Sequence, residues 1–176
     1  MTVTLGQIVA LPDGFYPPGS ALPWDRVGLV TGDPDQPIEH VRFAVDPTLA
    51  VIDEAIAAGA DLLVTHHPLL LRGIHSVATT TAKGRAVTRA VVADLAILCA
   101  HTNADVADPG VCDALAAACV LTDTEPLDVD EGQAVGRVGR LPAPLPLHAF
   151  AERLAAALPP TNVGVRVSGD PDATVC

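Results

Sequence analysis

After an irregular, proline-punctuated start, short apolar runs alternate with longer stretches of helical periodicity. Residues 41–45 (VRFAV), 62–65 (LLVT) and 96–100 (AILCA) read as strands. The run 62–65 is apolar without alternation, as a strand covered on both faces requires. Thr48 is placed to cap a helix through Ala58, with Leu49, Ile52 and Ile56 on its buried face and Gly59 to end it. Residues 82–93 carry a second helix and 111–118 a third. This alternation specifies βαβ units, an α/β fold whose largely parallel central sheet is flanked by helices.

The two ends of the chain carry weaker patterns. Pro12, Pro17, Pro18, Pro23, Pro34 and Pro37 leave room for a short helix near residues 5–10 and little else. Beyond 125, residues 133–141 alternate as a strand would. Pro142, Pro144 and Pro146 stiffen a connector, 147–158 is an amphipathic helix, and 163–167 (VGVRV) reads as a last strand. The expected division is an N-terminal α/β domain at 1–125 that holds the functional site, and an incomplete second region at 126–176.

Composition removes several classes of function. The chain has 176 residues, 49% of them hydrophobic, enough for a real core. Ten Lys and Arg stand against 21 Asp and Glu, a formal charge of −11. Such a balance argues against nucleic-acid binding, which needs a basic footprint. Aromatics at 3% argue against a base-stacking platform. No apolar run reaches membrane-spanning length and no basic leader is evident, so a cytoplasmic protein is expected. Cys99, Cys112, Cys119 and Cys176 form no C-x-x-C pair and are expected to be small buried thiols. The glycines follow no phosphate-loop pattern, Lys83 is the only lysine, and no serine sits in a nucleophile elbow.

Chemistry collects instead where three strands end. The first runs into Asp46, the second into His66-His67-Pro68, the third into His101-Thr102-Asn103-Ala104-Asp105. The C-terminal ends of parallel strands share one edge of the sheet, so these side chains converge on a crevice. Histidine with carboxylate is a ligand set for zinc, iron, manganese or nickel. Adjacent histidines in an ideal strand point to opposite faces. At a strand end held extended by Pro68, both can point over the edge. His66, His67 and Asp105 are the expected metal ligands, with Asp105 able to bridge two ions. His101 and Asp46 are expected to line the crevice behind them, His101 orienting a ligand by hydrogen bonding. His40, His75 and His148 stand outside this pattern.

Several blocks, in order over residues 22–120, resemble the NIF-three-like family of dinuclear-metal hexameric proteins, often labelled GTP cyclohydrolase I type 2. They are Trp24-Asp25-Arg26-Val27-Gly28-Leu29, Asp46-Pro47-Thr48, the stretch from Gly59 through His66-His67-Pro68 to Leu69, and Ala100-His101-Thr102-Asn103-Ala104-Asp105, followed by Gly110–Ala116. The family has asparagine where this chain has Arg26. The resemblance implies an α/β fold, a homohexameric ring and two adjacent divalent metal ions, with His66, His67 and Asp105 matching family ligands. A further histidine and glutamate come from a later glycine-rich segment of the family, so a C-terminally truncated member that holds metal weakly or holds one ion is expected. Metal-dependent hydrolysis is the implied activity. The alternative is a metal-loaded, non-enzymatic ring that binds proteins as a scaffold or chaperone.

Overall fold

The computed structural model describes residues 2–176 and divides into two compact units, Met1–Ala107 and Asp108–Cys176. The helix Val111–Ala118 lies in the second unit.

The first unit is built on a four-stranded sheet in the order Gly28–Thr31, Ala96–Cys99, Leu62–Thr65, Val41–Ala44. The last three are parallel, and Gly28–Thr31 adds antiparallel to the outer side of Ala96–Cys99. The helices Leu49–Ala57 and Ala82–Val92 cross between the parallel strands. Thr48 and Thr81 cap them, each hydroxyl accepting from an amide three residues on.

Both faces of the sheet are covered. Leu63 and Ile97 pack with Ile52, Ala55, Ala86, Val87 and Ala90 of the two crossover helices. Leu62, Ala96 and Leu98 face the other way, against Leu5, Ile8 and Val9 of a helix at Leu5–Phe15. A period of two sends successive side chains to opposite layers, so both must be apolar. That is why these strands read as unbroken hydrophobic runs. The N-terminal helix is longer than residues 5–10 because Pro12 is accommodated within it.

Gly32 closes the strand Gly28–Thr31 at φ +119°, where an added Cβ would lie 2.7 Å from Leu5 Cδ2 and 2.8 Å from Ala96 Cβ. Gly32→Ala is expected to destabilise the unit by about 3 kcal/mol, from backbone strain and overpacking together. A urea midpoint that does not move would refute this account of the close approach.

In the second unit, Thr122–Glu125 pairs antiparallel with Val138–Arg140, and Asp128–Asp130 with Gln133–Val135. Leu145–Pro146 pairs with Thr174–Val175 beside the helix Leu147–Ala157. Two expectations are corrected. The strand at 133–141 is broken at Gly136, which turns at φ +65°. Residues 163–167 form no strand: Val163 and Val167 are exposed and no ladder pairs with them.

Arg137 and Asp113 form a two-point ion pair, Nε to Oδ1 at 2.5 Å and Nη2 to Oδ2 at 2.8 Å. The Arg137 hydrogen bond, with help from the Gly110 amide, outweighs burial and holds the Asp113 carboxyl below its ordinary value of 3.8. A lowered folded-state value means the stabilisation is whole above the ordinary carboxylate range and is lost as pH falls through the lowered value. Denaturant unfolding of the chain at pH 7 and pH 3 should show this loss, and Asp113→Asn should diminish it. An equal acid sensitivity in that variant would contradict the pair's role. No helix among the described residues is long and apolar enough to cross a membrane.

Candidate metal centre

The register of the parallel strands sets the site. Ala44, Thr65 and Cys99 stand side by side at the strand ends. The ladder continues one step further: His66 N donates to Ala44 O at 3.1 Å, His67 N to Val45 O at 2.8 Å, and Ala100 N to Thr65 O at 3.0 Å. Asp46, His67 and His101 therefore leave the sheet at nearly the same level. The Thr65 hydroxyl donates to His67 O at 3.1 Å, turning the chain out of the strand before Pro68. Both adjacent histidines then lie on one side, with ring centroids 5.2 Å apart.

His101 joins them. Its ring centroid is 5.0 Å from that of His66 and 5.6 Å from that of His67. One ring nitrogen from each of the three lies within 4.8 Å of the others. Asp105 Oδ1 lies 3.7 Å from His66 Nε2, at the end of the short helix Thr102–Asp105.

Each imidazole is oriented through Nδ1. His66 Nδ1 donates to Ala100 O at 3.1 Å, and a carbonyl can only accept. His67 Nδ1 donates to the Asp46 carboxylate at 2.7 Å, and His101 Nδ1 to the Asp25 carboxylate at 3.0 Å. With the proton on Nδ1, the lone pair of every ring sits on Nε2. Carboxylates and carbonyls behind histidines are the usual partners that fix a metal-binding tautomer. His66 Nε2 and the Asp105 carboxylate are then two acceptors facing each other. Their 3.7 Å separation is under the sum of two metal–ligand bonds, about 4.2 Å, so one cation can touch both. The donor set fits a divalent transition metal.

Asp46 thus stands behind His67. Behind His101 stands Asp25, whose role the sequence pattern had not singled out. Its side chain is fully buried and saturated. Oδ1 accepts from the Arg26 amide at 2.7 Å as well as from His101, and Oδ2 accepts from the Thr102 amide at 3.0 Å and from the Thr102 hydroxyl. Burial raises its pKa, but the bonds from His101, Thr102 and Arg26 outweigh this and keep the carboxyl below its ordinary value. The Thr102 hydroxyl in turn accepts from the Leu22 amide at 3.0 Å. Asn103 binds the His101 amide through Oδ1 at 2.9 Å and Tyr16 O through Nδ2 at 2.7 Å. The signal for Asp25 was a lone carboxylate beside a half-apolar segment, with its partners far away in sequence.

Cys99 lies beneath the site and donates to His66 O at 3.3 Å. Burial first, and then the charge of Asp25, push its thiol up to about 12, so it is inert as a nucleophile at neutral pH. Of the other cysteines, Cys112 and Cys119 are half-buried and Cys176 is exposed, so the expectation of buried thiols holds fully only for Cys99.

A model of the Duf34/NIF3 (NGG1p interacting factor 3) family matches residues 3–176. The chain is 49% identical over 176 residues to the GTP cyclohydrolase 1 type 2 homolog of Streptomyces coelicolor, covering 97% of this chain. It spans 62% of that relative's length. Identity to the Mycobacterium bovis protein of the same name is 33% over 284 aligned positions, covering 99% of this chain and 74% of the relative. A Bacillus cereus protein related to NIF3 shares the fold with a TM-score of 0.83 at 23% identity, over 99% of this chain and 75% of that one. With the strand order, the histidine-bearing sheet edge and the family match all in agreement, the chain belongs to the Duf34/NIF3 family.

Proposed function

We propose that the chain binds a divalent metal ion through His66, His67, His101 and Asp105, and that the centre serves metal-dependent hydrolysis. The observation that carries this reading is that all three imidazoles have Nδ1 committed to an acceptor, which leaves Nε2 of each as a donor. The naming of the relatives as GTP cyclohydrolase 1 type 2 homologs supports a nucleotide-like substrate. A divalent ion held by His66, His67, His101 and Asp105 would supply Lewis-acid activation of water for hydrolysis near neutral pH. The chain's own part is to hold the donors. Asp46 and Asp25 keep the protons of His67 and His101 on Nδ1. The Ala100 carbonyl does the same for His66, and the Asp105 carboxylate adds charge beside it.

A hexameric, cytoplasmic assembly belongs to the same proposal. Among the described residues no strand pairs with the outer edge of Val41–Ala44, and Phe43 on it is 79% exposed, which supports a surface that closes against another chain. The same feature favours the second reading, a metal-loaded ring whose work is binding proteins. Reconstitution of chelator-stripped protein with zinc, manganese, iron or nickel, followed by turnover assays on GTP, phosphoesters and amides, separates the two. Metal-dependent turnover that His66→Ala abolishes without altering assembly is the expected result. Metal binding with no turnover of any substrate would leave the scaffold.

A further inference from the structure

Trp24 lies at the rim of the histidine cluster, and the hydrolytic reading gives it no role. It is the only tryptophan in a chain with five aromatic residues. Its indole stands nearly perpendicular to the His101 ring, at 79° with centroids 6.0 Å apart, yet the residue remains 53% exposed. The backbone beneath it is fixed. Leu22 N is tied to the Thr102 hydroxyl at 3.0 Å, Asp25 N donates to Leu22 O at 2.9 Å, and the buried Asp25 carboxylate anchors the next position. A half-exposed indole is therefore carried on a hydrogen-bonded backbone segment, against the ring of His101. Stacking of a flat heterocycle on an exposed indole is worth about 1–3 kcal/mol per base.

We propose that Trp24 is a ligand-contacting residue whose indole stacks on a planar aromatic ring of the molecule bound at the histidine cluster. The inference rests on the proposed nucleotide-like substrate and adds the surface that selects for its ring. A single indole suits one heterocycle and not a strand of bases, in keeping with the aromatic content and negative charge of the chain.

As the sole tryptophan, Trp24 reports its own environment by fluorescence. The full chain, both zinc-loaded and chelator-stripped, is titrated with GTP and, separately, with inorganic tripolyphosphate. GTP is expected to quench the emission, and tripolyphosphate is expected to leave it unchanged. Trp24→Ala should weaken GTP binding, measured by equilibrium dialysis, about tenfold, and Trp24→Phe should stay within about threefold of the parent. Zinc content is expected to be unaltered in both variants. Equal responses to the two probes, no GTP response in either form, or unchanged dialysis affinity in Trp24→Ala would each overturn the proposal. So would a change in the mass of the assembly in Trp24→Ala, which would make the indole an interface residue. Loss of zinc binding by the parent chain with GTP quenching retained would instead defeat the metal reading and leave the stacking role standing.

Discussion

His66→Ala is expected to lower zinc affinity by more than about a hundredfold, because even partners placed behind a ligand are worth about 10–100-fold. The variant removes a donor whose Nε2 lies 3.7 Å from Asp105. It also leaves the Ala100 carbonyl without the His66 proton. That carbonyl lies at a half-exposed rim where water can replace the lost donor, so the fold should survive. Calorimetric titration with zinc measures the effect. His101→Ala should behave alike, because it removes a second imidazole whose Nε2 is left as a donor. His40→Ala, on the same chain and away from the cluster, should bind as the parent does. A His66→Ala protein that binds zinc as tightly as the parent would remove His66 from the centre.

Asp25→Ala is expected to harm both stability and metal binding. The carboxylate is fully buried and accepts from two backbone amides, a hydroxyl and the His101 ring. Without it, several buried donors lose their acceptor at once, at a cost of about 1–3 kcal/mol for each group left unpaired. A loss of about 3 kcal/mol or more, read from the urea midpoint, follows. Metal affinity should fall about 10–100-fold in whatever protein remains folded, because His101 loses the partner that fixes its proton on Nδ1. Asp25→Asn keeps the shape but replaces one acceptor oxygen with an amide that must face donors. It should fold better than the alanine variant and still bind metal poorly. Parent-like stability in Asp25→Ala would show that the network is not holding the Thr102 turn.

The sheet was legible because its strands and crossover helices follow local rules. Leu62–Thr65 and Val111–Ala118 have the predicted bounds, and Thr48 caps its helix as read. Convergence of Asp46, His66, His67, His101 and Asp105 followed from parallel strands ending at one edge. Asp25 was not legible in that way. Its partners His101 and Thr102 lie 76 and 77 positions further along the chain, and no local pattern marks a carboxylate that will be sealed inside. The orienting partner behind His101 could not be found before its neighbours were placed.

The alternation at 163–167 misled for a related reason. It states which face of a strand would be apolar, but not whether a neighbouring strand exists to pair with it. Gly28–Thr31 was missed because its glycine at φ +101° and its register shift break the strand pattern, although it pairs with Ala96–Cys99.

In the proposed centre three imidazoles present Nε2 to metal, each with its proton held on Nδ1. Nitrogen-15 NMR of the ring nitrogens, recorded on the chelator-stripped chain and again with zinc added, reads this atom by atom. The account predicts that His66, His67 and His101 show the Nδ1–H tautomer and that their Nε2 resonances shift with zinc. Those of His40, His75 and His148 should stay where they were. Zinc shifts confined to His40, His75 or His148, or coordination through Nδ1 in the cluster, would contradict it.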